Sequence, residues 1–442
     1  MTRSHRFGTW LVGSALAVGC ADDSGDEGGA DETAGESGDP CFEPVPWEIA
    51  GAPDFKNVVS GVQKPPSYDQ DETYTTVAVG LVDDPENDSR WDYAVASIDH
   101  SVIRVFYGSD DPGLTVFDDS PPELWDIGSG GVQDLALADL NGDDHNELIA
   151  LTTGDELKIF PGDDESPWFR ESITTRSATV SGATGHSQLI VDDLNCDDDL
   201  DVIMPADDGA VIRTGGGTGL LNGTTYTVDT DGDPTFALAV GDLDGSNPPD
   251  LVATTASPED GKIYVLLGDC NGNPYDEFDT YDFEVGGLAS ANPHVAIAYM
   301  CGTSGDEPGI AVAFGDAVYF LCSDGTGDFE DVQEPHGEED ATGQGFDYLW
   351  GLDEIGGSVR ALASYGDHPE LITIAGNKPI RLTPAVCGVA FGRRLELSQA
   401  IRVTSALTLN QNLQRLRLVP GSNPTYWRRM AVAGQGGLQV LQ

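Results

Sequence analysis

Three short stretches of the chain place oxygen-bearing side chains at alternate positions of a tight loop. Each loop is counted here from its first Asp. Positions 1, 3, 5 and 9 are Asp139, Asn141, Asp143 and Glu147 in DLNGDDHNE, and Asp193, Asn195, Asp197 and Asp201 in DLNCDDDLD. In DLDGSNPPD they are Asp242, Asp244, Ser246 and Asp250. Alternation turns these oxygens to one side of the loop. Position 9 opens the next apolar run and can chelate with both carboxylate oxygens. Position 7 adds a backbone carbonyl, from His145, Asp199 or Pro248, since proline lacks an N–H but keeps its C=O. With one water this makes about six or seven oxygens, a set that suits Ca²⁺ better than Mg²⁺. Without a cation the crowded carboxylates repel. A single such loop reads equally well as Asp and Asn shaping a turn. Three at the same place in successive repeats point to calcium.

Other chemistry has no comparable signal. The chain holds no G-x-S-x-G, H-E-x-x-H, C-x-x-C or G-x-x-x-x-G-K-[ST] motif, and its seven His residues are scattered without ligand spacing. With 76 acidic residues, paired carboxylates identify no general acid and base. The aromatic stretches YDEFDTYDF (275–283) and GFDYLWGLDE (345–354) suit sugar stacking or a partner. Phe346, Tyr348 and Trp350 read equally as filling between sheets. Two functional classes stay open: a binding or adhesion module for a protein or glycan, and a carbohydrate-active hydrolase or lyase with its site in a central funnel.

The elements that must carry the loops repeat along the chain. Aligned on the apolar run after each loop, the units begin at Asp92, Glu147, Asp201, Asp250, Gly309, Glu370 and Arg429, spaced by 55, 54, 49, 59, 61 and 59 residues. VQDLALAD, ELIALTTGD, ELKIFPGD and WFRESITTR show the unit best: short Val-, Ile-, Leu- and Ala-rich strands bounded by Gly and Asp. Four strands per 50–60 residues predict an all-β, seven-bladed β-propeller, in which inner strands are buried on both faces. The last unit ends after GGLQVLQ with three strands. WEIAGAPDFKNVVSGV (47–62) is expected to supply the fourth and close the ring.

These units resemble FG-GAP/VCBS repeats, the calcium-bearing propeller repeats of the integrin alpha chain head and of many secreted bacterial proteins. The resemblance covers about residues 45–442 and is strongest in units two to four. It implies a seven-bladed propeller, extracellular placement and binding or adhesion roles, and it implies no reaction. In unit one, Asp84, Glu86, Asp88 and Asp92 fit the spacing after an insertion. Units five to seven depart from the pattern, with Cys301 and Gly309, a shortened SYGDHPE, and Gly421 and Arg429 in place of the acids, and no metal is expected there.

Charge and the termini bound the setting. The net charge of −55 repels nucleic acid and anionic membranes as partners and attracts divalent cations. The imbalance is local: residues 387–442 carry seven Arg and one acid, Glu396. Arg3, His5 and Arg6 precede an apolar run, Phe7–Val18, too short to span a bilayer. LAVGC (16–20) resembles a bacterial lipobox, with Cys20 as the lipidated first residue; the alternative is an ordinary secretory signal. The expected organisation is a signal peptide over 1–19, a disordered acidic tether over 20–44 and the propeller over 45–442. That describes a monomer of the bacterial cell envelope, outside the cytoplasm and tied to the membrane only through lipid. Six Cys remain after Cys20. The repeat pattern puts Cys196, Cys270, Cys301 and Cys322 on the loop face, to pair among themselves, and leaves Cys41 with Cys387.

Overall fold

The computed structural model describes residues 62–63, 73–83, 91–109, 117, 120–154, 156–170, 173–175, 188–206, 209–216, 221, 223–232, 234–246, 248–255, 261–270, 274–275, 279–283, 293–301, 307–314, 317–322, 348–351, 359–364, 371–375, 378–382, 401–402, 413–420, 427–434 and 437–441. Among these there is no helix. The strands form seven antiparallel four-stranded sheets. Sheet one is Thr76–Gly80, Asp92–Ala96, Val102–Phe106 and Glu123–Asp126, and sheet two is Val132–Ala138, Glu147–Thr152, Leu157–Phe160 and Ile173–Thr175. Sheet three is Ile190–Asp192, Asp201–Ala206, Gly209–Arg213 and Thr225–Asp229, and sheet four is Thr235–Gly241, Asp250–Thr255, Gly261–Leu266 and Asp279–Phe283. Sheet five is His294–Cys301, Glu307–Phe314, Ala317–Cys322 and Tyr348–Gly351, and sheet six is Val359–Ser364, Leu371–Ala375, Lys378–Leu382 and Ile401–Arg402. Sheet seven is Leu413–Pro420, Trp427–Gly434 and Gly437–Leu441. Its last strand pairs with Val62–Gln63, in the register Val62 with Leu441 and Gln63 with Val440. Residues 47–61 of the stretch expected to fill this place lie outside the described residues.

Burial explains why the second strands are mostly apolar after their first residue. Every residue of Asp92–Ala96, Glu147–Thr152 and Asp201–Ala206 is buried. Alternate side chains serve different cores. Leu148 and Ala150 pack with Ala94, Ile103 and Val105 of sheet one. Ile149 and Leu151 pack with Val202, Met204 and Val211 of sheet three. The same alternation joins sheets three and four through Ile203, Ile212, Leu238 and Leu251, and sheets four and five through Val252, Ile263, Val295 and Ile310. Ala431, Leu438 and Val440 of sheet seven pack with Val77, Tyr93 and Phe106 of sheet one. Each fully buried Leu, Ile or Val stabilises by about 1.5–3 kcal/mol, so an isolated sheet would forfeit half of its core. The first strands of successive sheets lie side by side, and that of sheet seven lies beside that of sheet one.

A register irregularity recurs in the first strands. The pairing slips between Val132 and Asp134, Thr235 and Ala237, Val359 and Ala361, and Leu413 and Arg415. Each slip leaves one extra residue near the start of the strand and re-aims the side chains beyond it. In sheet two this places Asp134 fully buried between sheets. It accepts from the Thr76 hydroxyl and from Leu189 N–H at 2.8 Å, and Arg417 Nη2 lies 3.6 Å from its Oδ2.

Candidate metal centre

The acidic loops connect the first and second strands of sheets two, three and four. In each, the last residue of the first strand pairs with the position 9 acid: Ala138 with Glu147, Asp192 with Asp201, Gly241 with Asp250. Strand pairing therefore fixes where the acid stands, and all three acids are fully buried.

Each buried acid holds two chain segments together. One oxygen accepts from the position 2 amide: Leu140 N to Glu147 Oε2 at 2.7 Å, Leu194 N to Asp201 Oδ2 at 3.2 Å, Leu243 N to Asp250 Oδ2 at 2.6 Å. The other accepts from a glycine just past the third strand: Gly162 N at 3.4 Å, Gly215 N at 2.8 Å, Gly268 N at 2.8 Å. Only glycine fits there. A Cβ on Gly215 would stand 2.5 Å from Leu200 O, and one on Gly268 would stand 2.6 Å from Pro248 O. The carboxylate thus pins its own loop to the edge of the same sheet.

Sheet one uses the same clasp, and it corrects the spacing read from the sequence. Asp92 accepts from Val82 N at 2.7 Å and from Gly108 N at 2.8 Å. Val82 therefore stands at position 2, and position 1 is Leu81 rather than Asp84. The segment is three residues longer than the nine-residue loops, and 84–90 lie outside the described residues. Sheet five also differs. Cys301 pairs with Glu307 and Ala298 with Gly309, so Cys301 and Gly309 are ladder residues of a longer hairpin. The connections of sheets six and seven, with Gly421, fall outside the described residues.

Inside the loops the acids order the backbone. Asp139 Oδ1 accepts from Gly142 N at 2.8 Å and its Oδ2 from Asp144 N at 2.9 Å. Asp193 takes Asp197 N at 3.2 Å and Asp198 N at 3.1 Å. Asn195 Oδ1 accepts from Asp197 N, and Asp197 Oδ1 from Asp199 N, each at 3.0 Å; Asp143 Oδ1 accepts from His145 N at the same distance. Asn141 donates its amide to Glu147 Oε1 at 2.9 Å. In sheet four, Asp242 Oδ1 accepts from Gly245 N at 2.6 Å and Asp244 Oδ1 from Ser246 N at 2.8 Å. A carboxylate offers about four lone-pair sites, so these bonds leave acceptor capacity for a cation.

Among the described residues, one set of acids converges on a point: ligand oxygens of Asp242, Asp244 and Asp250 all lie within 4.8 Å of one another. Ser246 is exposed at the loop tip and Pro248 is buried beneath it. In sheets two and three the position 3 residue is Asn, and the remaining acids stand further apart. The donor set of sheet four, hard oxygens on one short loop, fits Ca²⁺. Burial also shifts the position 9 acids. Burial, with the charges of Asp244 and Asp242, pushes the Asp250 carboxyl up to about 6. Burial with Asp197 and Asp193 does the same to Asp201, to about 6, and burial with Asp143 and Asp139 takes Glu147 to about 7. In each case burial is the larger cause, and the neighbouring loop carboxylates add to it.

Two features of the site carried little sequence signal. Cys196 and Cys270 form a disulfide, a pairing within the set of four loop-face cysteines. Cys270 lies beyond its third strand rather than at its end. Cys41, Cys387 and Cys20 lie outside the described residues. Tyr275, from the aromatic stretch after sheet four's third strand, is buried and donates its hydroxyl to Pro249 O at 2.7 Å. Its last five residues form the outer strand Asp279–Phe283, and Tyr348–Gly351 is the outer strand of sheet five.

No family model matches the chain, and no curated protein matches it. Solved structures do. YCF48 from Cyanidioschyzon merolae aligns with a TM-score of 0.50 at 12% identity, covering 86% of this chain and 98% of that one. BBS1N, in a crystal structure with ARL6DN soaked with mercury, aligns with a TM-score of 0.50 at 12% identity over 87% of this chain and 96% of that one. The Dos1 propeller aligns at 0.47 and 11% identity over 79% and 74% of the two chains. At such identities the likeness concerns the fold alone, and the fold is a β-propeller.

Proposed function

We propose that the chain is a calcium-stabilised, lipid-anchored propeller of the FG-GAP/VCBS type, presented outside the cytoplasm of a bacterium as a binding module for a protein or glycan. Its seven sheets act as the blades of one ring, and Val62–Gln63 completes the last of them. The antiparallel pairing of that strand with Gly437–Leu441 supports the closure. The observation that carries the calcium reading is the convergence of Asp242, Asp244 and Asp250. These three carboxylates would hold the ion, with Ser246 and the Pro248 carbonyl beside them. Loop two would use Asp139, Asn141, Asp143, His145 and Glu147, and loop three Asp193, Asn195, Asp197, Asp199 and Asp201. A bound cation would favour the ionised form of the buried position 9 acids. Propellers serve widely as binding and scaffold platforms, and no constellation among the described residues marks a reaction centre.

The test is thermal unfolding of the full chain with EDTA and with Ca²⁺, together with elemental analysis of the purified protein. A ligand bound only by the folded state adds about 2.7 kcal/mol at a hundredfold excess over Kd. EDTA should lower the melting temperature, Ca²⁺ should restore it, and Asp244→Ala should remove one equivalent of metal. An unchanged melting temperature in a metal-free protein would refute the calcium reading. A glycan array run beside a hydrolase and lyase screen separates a binder from an enzyme: turnover would overturn the binding-module reading.

A further inference from the structure

Position 4 of the three acidic loops carries a conformational oddity. Gly142 and Gly245 adopt φ of +72° and +80° there, in the left-handed region that glycine tolerates. Loop three has Cys196 instead, at φ +64°. A Cβ in that region is disfavoured by about 1–2 kcal/mol. Cys196 is bonded to Cys270, 74 residues away, with the Cα atoms 5.4 Å apart. Asn195 and Asp197, positions 3 and 5 of the loop, flank it on either side.

Cys270 belongs to the segment that grips loop four. Two residues earlier, Gly268 N donates to Asp250 Oδ1 at 2.8 Å. Asp269 N donates to Pro274 O at 3.0 Å and turns the segment back. Tyr275 then donates its hydroxyl to Pro249 O at 2.7 Å. The disulfide therefore runs from the middle of loop three to a segment clamped on positions 8 and 9 of loop four. Loop two has no such tie, because its position 4 is Gly142.

We propose that the Cys196–Cys270 bond makes loops three and four a coupled pair, so that a divalent cation in one raises the affinity of the other, and that reducing the bond uncouples them. The inference rests on the reading of these loops as cation sites. A cation in loop four immobilises Asp250 and, through Gly268 and Cys270, Cys196. Loop three then binds with less ordering left to do. Linkage makes the effect reciprocal. Both cysteines are exposed, so a dithiol reaches them. Two electrons and two protons convert the bond to two thiols, and the dithiol is oxidised to its own disulfide. Cys196, Cys270 and Tyr275 are in this sense positioning residues for the cation sites.

The experiment uses the full chain carrying Asp139→Ala, which leaves loops three and four to be titrated with Ca²⁺ by calorimetry. The Hill coefficient should exceed one, and adding Asp244→Ala should weaken the remaining loop three site about 5-fold or more. In a Cys196→Gly, Cys270→Ser background, or after reduction, the coefficient should fall to one and Asp244→Ala should leave loop three unaffected. Glycine is the residue of the other two loops at this position, so the variant is built to fold. Amide exchange without metal supplies a second readout: breaking the bond should speed exchange at Gly268 and Leu243 as well as over residues 193–201. Calcium binding with independent loops in both forms would overturn the coupling alone. Equal exchange at Gly268 with and without the bond would do the same. Absence of calcium binding in every form would overturn the coupling together with the cation reading.

Discussion

Asp92 offers the cleanest view of what the buried clasp contributes, because sheet one lacks the position 1 acid of the other loops. Two opposing effects act on its carboxylate. Val82 N, Asp83 N and Gly108 N donate to it at 2.7, 3.3 and 2.8 Å, which favours the charged form. Complete burial and the nearby charge of Asp83 disfavour it, and they win, pushing the carboxyl up from 3.8 to about 7. The folded state therefore holds this proton more tightly than the unfolded chain does. The resulting stability is complete below about pH 4 and is lost as pH rises through about 7. A displacement of that size corresponds to about 4 kcal/mol. Relaxation around a buried charge reduces this to ~2 kcal/mol. Asp92→Asn keeps the shape and one acceptor oxygen but cannot titrate. In urea unfolding with chelator present, the variant should lose about 2 kcal/mol less than the wild type between pH 4.5 and pH 8. Parallel curves would mean that Asp92 does not titrate in this range. That is also the result expected if the three N–H donors outweighed burial, since the carboxyl would then be ionised in both states throughout the range, and it refutes the reasoning.

The same construction makes other positions sensitive. Gly215→Ala puts a methyl group 2.5 Å from Leu200 O and should lower stability by about 1–3 kcal/mol in chemical denaturation; an unchanged midpoint would mean the clasp yields freely. Arg417→Met removes the guanidinium 3.6 Å from the buried Asp134 carboxylate, and a double-mutant cycle with Asp134→Asn should give a coupling of about 0.5–3 kcal/mol. Covalent chemistry at the termini is checked by labelling and mapping: a palmitate analogue should mark the wild type but not Cys20→Ser, and non-reducing peptide maps should join Cys41 to Cys387. A free Cys41, or one joined to another cysteine, contradicts that bridge.

The strands were legible because their composition is set by burial. ELIAL and DVIMP are apolar at every position after the first because neighbouring sheets cover both faces, and such runs survive without alternation. The loops were legible because Asp and Asn recur at fixed offsets. The clasp was not, because its second half is a backbone N–H. Gly108, Gly162, Gly215 and Gly268 stand 16, 15, 14 and 18 residues after their acids, so no fixed spacing announces them among 55 glycines. The register of sheet one failed for a related reason. Acids at 84, 86 and 88 match the loop pattern, whereas the marker that decides, the Val82 amide on Asp92, has no side-chain signature. In sheet five the longer ladder from Cys301 to Glu307 displaced a spacing that sequence offsets alone suggested.

The basic C-terminal segment carries seven Arg against one acid over the last 56 residues. One of them, Arg417, reaches a fully buried acid on the first strand of sheet two. The reason is geometric. The first strands of sheets seven, one and two are adjacent, and the register slip at Val132/Asp134 sets the Asp134 carboxyl among them. The Thr76 hydroxyl and Leu189 N–H donate to the same carboxylate, so strands from sheets seven, one and two and the residue just before sheet three's first strand meet on it. A buried charge in that position is costly to leave without its partners. It rewards only the arrangement in which the last sheet stands next to the first. Among the described residues, Val62–Gln63 supplies two residues of pairing at that seam, and the inner contact at Asp134 and the apolar core of Ala431, Leu438 and Val440 against Tyr93 hold it from the other side.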